Sequence, residues 1–77
     1  MENNMTYTAT YEVYGEANFL HEVEETIEAD GFGEACELAS LRTDELADDE
    51  QGRYGDAYRI VSVSLASLHD ENGIRVA

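Results

Sequence analysis

Not one lysine occurs in the 77 residues, and four arginines stand against 18 aspartates and glutamates. Without a basic patch nothing displaces counterions from a phosphate backbone, which excludes direct contact with DNA or RNA. A second cysteine is also missing, so Cys36 forms no intrachain disulfide and fits a reducing compartment as a small buried hydrophobe. The opening MENNMTYTAT carries neither a basic region nor an apolar run, and no later stretch reaches the length of a membrane span. A soluble, cytoplasmic protein without a membrane partner is expected.

The usual chemical signatures are absent too. Gly31 and Gly33 lack the third glycine of a phosphate-binding loop. Neither Asp44, Asp48 and Asp49 nor Asp70, Glu71 and Asn72 fall within a twelve-residue calcium loop, and His21, His69 and Cys36 have no zinc spacing. Glu34 and Glu37 disfavour a thiolate at Cys36. With so many carboxylates, paired acids arise by chance, and a chain this short rarely builds the cleft that general acid and base work needs. No catalytic residue, metal or cofactor is therefore expected.

What is present is patterned. Tyr7, Ala9, Tyr11 and Val13 alternate with Thr6, Thr8, Thr10 and Glu12, which predicts a first strand from Met5 to Tyr14. GEAN, residues 15 to 18, supplies a hairpin turn. A second strand then sets Phe19, His21, Val23, Ile27 and Ala29 against Leu20, Glu22, Glu24, Thr26, Glu28 and Asp30. At Gly31 and Gly33 the period changes from two to about 3.6. Ala35, Leu38, Ala39, Leu41 and Leu46 predict the buried side of a helix, with Glu34, Glu37, Asp44, Glu45 and Asp48 toward solvent. Thr43 and Asp44 leave open whether this is one helix or two with a break near residue 43. Residues 50 to 57 read as a loop. A third strand is expected from Tyr58 to Leu65, with Val61, Val63 and Leu65 on one face and Tyr58, Ile60, Ser62 and Ser64 on the other. HDENG then forms a turn and Ile74 to Val76 a short last strand.

The expected fold is α+β: a single domain over residues 1–77, with residues 1 to 4 frayed. It has ββαββ order and an antiparallel sheet of order 2-1-3-4 with the helix on one face. The other face would carry Thr6, Thr8, Thr10, Glu12, Glu22, Glu24, Glu28, Ser62, Ser64 and Arg75. A chain of this length buries only about 60% of its unfolded surface, so its core is thin. A net charge of −14 on such a core is self-repulsive. Glu22 and Glu24 stand ~6.6–6.8 Å apart along a strand, and Glu12, Glu28, Glu34, Glu37, Asp44, Glu45, Asp48 and Asp49 extend the negative field. Phosphates follow each strand of duplex DNA at about 3.4 Å, so fixed acidic rows suit a surface built to bind nucleic acid.

TIEADGFGEACELA followed by YRIVSVSL, with Glu34, Ala35 and Ala39 in an EA-x-x-x-A step, resembles small acidic phage and mobile-element proteins of the anti-CRISPR type. The resemblance implies an inhibitor acting in the cytoplasm of an infected cell. Its partner would be a nucleic-acid-binding complex, a CRISPR effector, whose basic channel it would occupy without turnover. Tyr54 and Tyr58, with Arg53 and Arg59 beside a loop, would then supply anchor contacts. Two other readings stay open. One is an acidic structural or regulatory interaction module, monomeric or a homodimer through strand two. The other is a halophile-type acidic surface without mimicry.

Overall fold

In the computed structural model, which describes residues 4–16, 18–55 and 59–77, the alternating segments form two long strands of equal length. These are β1 (Met5–Gly15) and β2 (Phe19–Ala29). They pair antiparallel from Met5↔Ala29 to Val13↔His21. Helix α1 (Phe32–Tyr54) then runs back along the sheet, and β3 (Ile60–His69) pairs antiparallel with the other side of β1. The sheet order is β2-β1-β3. A helix of 23 residues spans about 34 Å at its ordinary rise, close to the reach of an 11-residue strand, so one helix roofs the sheet end to end.

The core lies between helix and sheet. Tyr7, Ala9, Tyr11 and Val13 of β1, Ala29 of β2, Leu68 of β3, and Ala35, Ala39 and Leu46 of α1 are all buried. Large side chains on the strands face small ones on the helix, which lets the backbones approach closely. The Tyr11 hydroxyl donates to the Ala39 carbonyl at 2.8 Å, tying the middle of β1 to the middle of the helix. Burial pushes the Tyr11 phenol above its ordinary value of 10.0; neighbouring Glu25 adds to the rise and Arg42 opposes it.

Several expectations need correction. The helix is unbroken, because the Thr43 hydroxyl donates to the Ser40 carbonyl at 2.8 Å and so bonds within the helix rather than capping a new one. It continues through Tyr54, so residues 50–54 are helical and not a loop. Its end is set by Gly55, at φ 60, a conformation only glycine adopts easily; the Gly55 N–H reaches the Gln51 carbonyl at 2.9 Å. The strand-to-helix corner needs no such residue: Gly31 is extended, and side chains at Gly31 and Gly33 would meet open space. The Glu34 carboxylate holds that corner by accepting from the Asp30 N–H at 2.9 Å. Leu38 and Leu41, expected in the core, are exposed, Leu41 by 66%; the buried stripe runs through Ala35, Ala39, Leu46 and Glu50.

Parity also slips three times. Tyr14 pairs with Phe19 after Val13 has paired with His21, so Leu20 is an extra residue and Phe19 turns to the face opposite the helix. There its ring meets Tyr14 edge to face, centroids 5.7 Å apart. On β3, Thr10↔Ser67 is followed by Tyr11↔Leu65, so the strand bulges at Ala66 and continues to His69, bringing Leu68 opposite Ala9. A second irregularity near Gly15 leaves Val61 exposed, although Val63 and Leu65 keep the expected face. The start of the third strand at Tyr58 lies outside the described residues.

The expected last strand is reduced to a single bridge, His69↔Arg75, so among the described residues the order is ββαβ. The preceding turn does form. Asp70 accepts at its carboxylate from the Asn72 and Ile74 N–H groups, both at 2.9 Å, and Gly73 takes φ 81. The Asp70 N–H donates to the Ile74 carbonyl at 2.9 Å, closing the turn and framing the bridge at Arg75. Val76 and Ala77 then bond to Leu68.

Gly52 sits inside the helix with open space around a would-be side chain. Gly52→Ala is expected to raise unfolding stability by about 0.5–1 kcal/mol, read from the urea midpoint at unchanged slope. A neutral or destabilising result would mean that the helix does not run intact through residue 52.

Candidate acidic interface

Pairing across the sheet sorts the uncovered face into rows. Glu24, Thr10 and Ser67 form one, and Thr26, Thr8 and His69 another. Between Glu24 and the turn, Glu22, Glu12 and Ser64 form a third. The face therefore grades from carboxylates on β2, through threonines and one glutamate on β1, to hydroxyls on β3. Arg75 joins its far corner through the bridge to His69.

Glu22, Glu24 and Glu28 are exposed along β2, and among the described residues none pairs with a cation. Glu12 lies directly opposite Glu22, an unfavourable like-charge pairing. The Tyr14 hydroxyl donates to the Glu12 carboxylate at 3.0 Å, and this bond holds the Tyr14 phenol above its ordinary value.

The second set lies on α1. Glu34, Glu37, Asp44, Glu45, Asp48 and Asp49 are all exposed, with Leu38 and Leu41 among them. Helical periodicity places Glu34, Glu37, Asp44 and Asp48 on the side away from the sheet and Glu45 and Asp49 on the flank beside Arg42, so the outer acids and the β2 row occupy opposite faces of a body with extents of 46 × 21 × 15 Å. They are not one surface. Nor are all equally free. Glu34 serves the helix start, and Glu45 and Asp49 receive Arg42 at 3.5 and 3.2 Å. Arg42 also grips Glu25 of β2 with two nitrogens, at 2.7 and 3.0 Å. These bonds hold its guanidinium firmly charged. Pleat parity puts Glu25, opposite Ala9, on the helix side of the sheet, a position that alternation alone reveals.

Tyr54 is not a loop anchor. It lies in the last turn of α1, where its hydroxyl meets His21 Nδ1 at 2.6 Å. Tyr58, the other expected aromatic anchor, lies outside the described residues. His21 Nε2 in turn lies 2.6 Å from Glu50, which is 6% exposed, and Arg53 approaches the other Glu50 oxygen at 3.6 Å. The His21–Glu50 contact lacks hydrogen-bond alignment, so the pair is Coulombic when His21 is protonated. This inward-facing cluster binds the start of β2 to the end of the helix. Its sequence signal was the spacing of Glu50 from Leu46 and Ala39 on one helical stripe, hidden by reading residue 50 as the start of a loop.

Among the described residues no group of three or more His, Cys, Asp and Glu is placed to hold a metal ion, and no helix is long and apolar enough to cross a membrane. Comparison with protein-family models, curated proteins and solved structures finds no match, so the fold and the distribution of charge are what this chain offers for reading its function.

Proposed function

We propose that the protein is a small acidic inhibitor of the anti-CRISPR type. It binds a nucleic-acid-binding protein complex in the cytoplasm of an infected bacterial cell and occupies the basic surface meant for DNA or RNA. The observation that carries this reading is the rank of exposed carboxylates Glu22, Glu24 and Glu28, paired with no cation among the described residues, along a strand hydrogen-bonded to β1, with Glu12 beside it. Fixed charges attract a basic groove without the ordering cost that flexible acids incur on binding. The outer acids of the helix, Glu37, Asp44 and Asp48, extend the field to the opposite face and suit a groove that encloses the molecule. The mechanism is steric and electrostatic exclusion, with no bond made or broken.

The test is competition. Purified CRISPR effector–guide complexes are titrated with the protein, with and without target DNA, across a salt series. Mutual exclusion with DNA and a steep loss of affinity as salt rises are expected. Glu22→Arg with Glu24→Arg should weaken binding by more than about tenfold, about 1.4 kcal/mol, and Asp48→Arg with Asp49→Arg reports the helix face separately. Binding that tolerates DNA, salt and both charge reversals would refute mimicry.

A further inference from the structure

The two edges of the sheet differ. Along β3 the edge is partly occupied from within: Val76 N–H donates to the Leu68 carbonyl at 2.8 Å, Leu68 N–H to the Ala77 carbonyl at 3.0 Å, and Arg75 to the Ala66 carbonyl at 3.4 Å. Near the start of that strand, Ile60 N–H donates to the Gln51 side chain at 2.9 Å. Along β2, by contrast, no group among the described residues outside the sheet bonds to the outer edge. Alternate N–H and C=O groups of an 11-residue strand therefore face outward.

The charge on β2 says what such an edge accepts. Two copies joined antiparallel through β2, with both helices on one side and the pairing centred on any residue from Glu22 to Thr26, set at least one glutamate directly opposite another. Centring on Glu24 opposes Glu24 with itself; centring on Glu25 opposes Glu22 with Glu28 and Glu25 with itself. Like charges in those positions are destabilising. An incoming strand with lysine or arginine at alternate positions meets Glu22, Glu24 and Glu28 at cross-strand distances of about 4.5–5.5 Å.

We propose that the outer edge of β2 is a docking site for an extended basic segment of a partner protein, which adds to the sheet as a fourth strand beside β2. Main-chain hydrogen bonds hold the segment, and the glutamate row selects one with cations at every second residue while refusing a second copy of this chain. This inference rests on the proposed function, since it takes the partner to be basic, and it specifies how the contact is made.

Two synthetic peptides separate the ideas. The first is about ten residues long, within the ordinary range of strand lengths, with lysine alternating with valine and threonine. The second has the same sequence with N-methyl groups on every other residue, in both phases, so that charge is kept and strand pairing is lost. Affinity is measured by calorimetry, and hydrogen exchange is followed at each β2 amide. The unmethylated peptide is expected to bind at least about tenfold more tightly and to slow exchange at alternate β2 amides only. Equal binding of both peptides without β2 protection overturns strand addition and leaves the electrostatic reading standing. Binding of neither overturns both. A homodimer with protected β2 amides in the absence of peptide overturns the choice of a basic partner.

Discussion

Leu68→Ala is expected to cost about 2–5 kcal/mol, the range for deleting a fully buried leucine side chain, in a domain whose total stability lies toward the low end of about 5–15 kcal/mol. Leu68 is 0% exposed and sits opposite Ala9 at the centre of the sheet-helix layer. Four of its companions in the buried cluster are alanines, Ala9, Ala29, Ala35 and Ala39, which have no longer side chains to swing into the space. The void therefore stays open. Leu41→Ala, the matched control on the exposed helix face, should change stability by no more than about 0.5 kcal/mol. Urea unfolding of both variants decides the matter. Equal effects would mean that the buried stripe of the helix and the bulge at Ala66 are misplaced.

The second large effect belongs to Arg42. It bridges the helix to β2 by gripping both oxygens of Glu25, and it is one of only four cations in a chain of net charge −14. Arg42→Ala leaves Glu25 partly buried beneath the helix without its partner and frees Glu45 and Asp49 to repel it. A loss of about 1–3 kcal/mol is expected, less than for a fully buried pair because both side chains retain some solvent. Glu25→Gln in the Arg42→Ala background should recover part of the loss by removing the unpaired charge. A double-mutant cycle with coupling of about 1 kcal/mol or more supports the bridge; strict additivity would show that the contact contributes nothing.

The strand pair and the helix were legible because their residues follow one period without interruption. From Met5 to Val13 every odd side chain is apolar or aromatic and every even one polar, and pairing against β2 keeps that parity to His21. Errors cluster where one extra residue enters a ladder. At Leu20 and Ala66 nothing in residue type marks a bulge, so counting by two carried Phe19 to the wrong face and stopped the third strand short of Leu68. The helix end was misread for a related reason. The glycines at 52 and 55 punctuate the sequence like a loop, yet the helix runs on until Gly55 takes positive φ, with Glu50 buried on its inner stripe. Leu38 and Leu41 were misassigned because hydrophobic residues that sit on the outer side of a helix look the same in sequence as those that sit inside. Of the acids of the candidate interface all but the half-buried Glu12 are exposed, and their partition between two faces follows from the alternation of β2 and a helix laid on one side of the sheet.

The extra residue at Leu20 has a bearing on how this chain tolerates insertions and deletions. Because the mismatch in register is already confined to the hairpin tip, losing or gaining one residue there alters Phe19 and its contact with Tyr14 while Glu22, Glu24 and Glu28 keep their orientation. The same change between Val23 and Glu28 would rotate part of the glutamate row beneath the helix and bring valine or isoleucine out to water. Length variation among natural variants should therefore collect at the tip and spare the body of the strand.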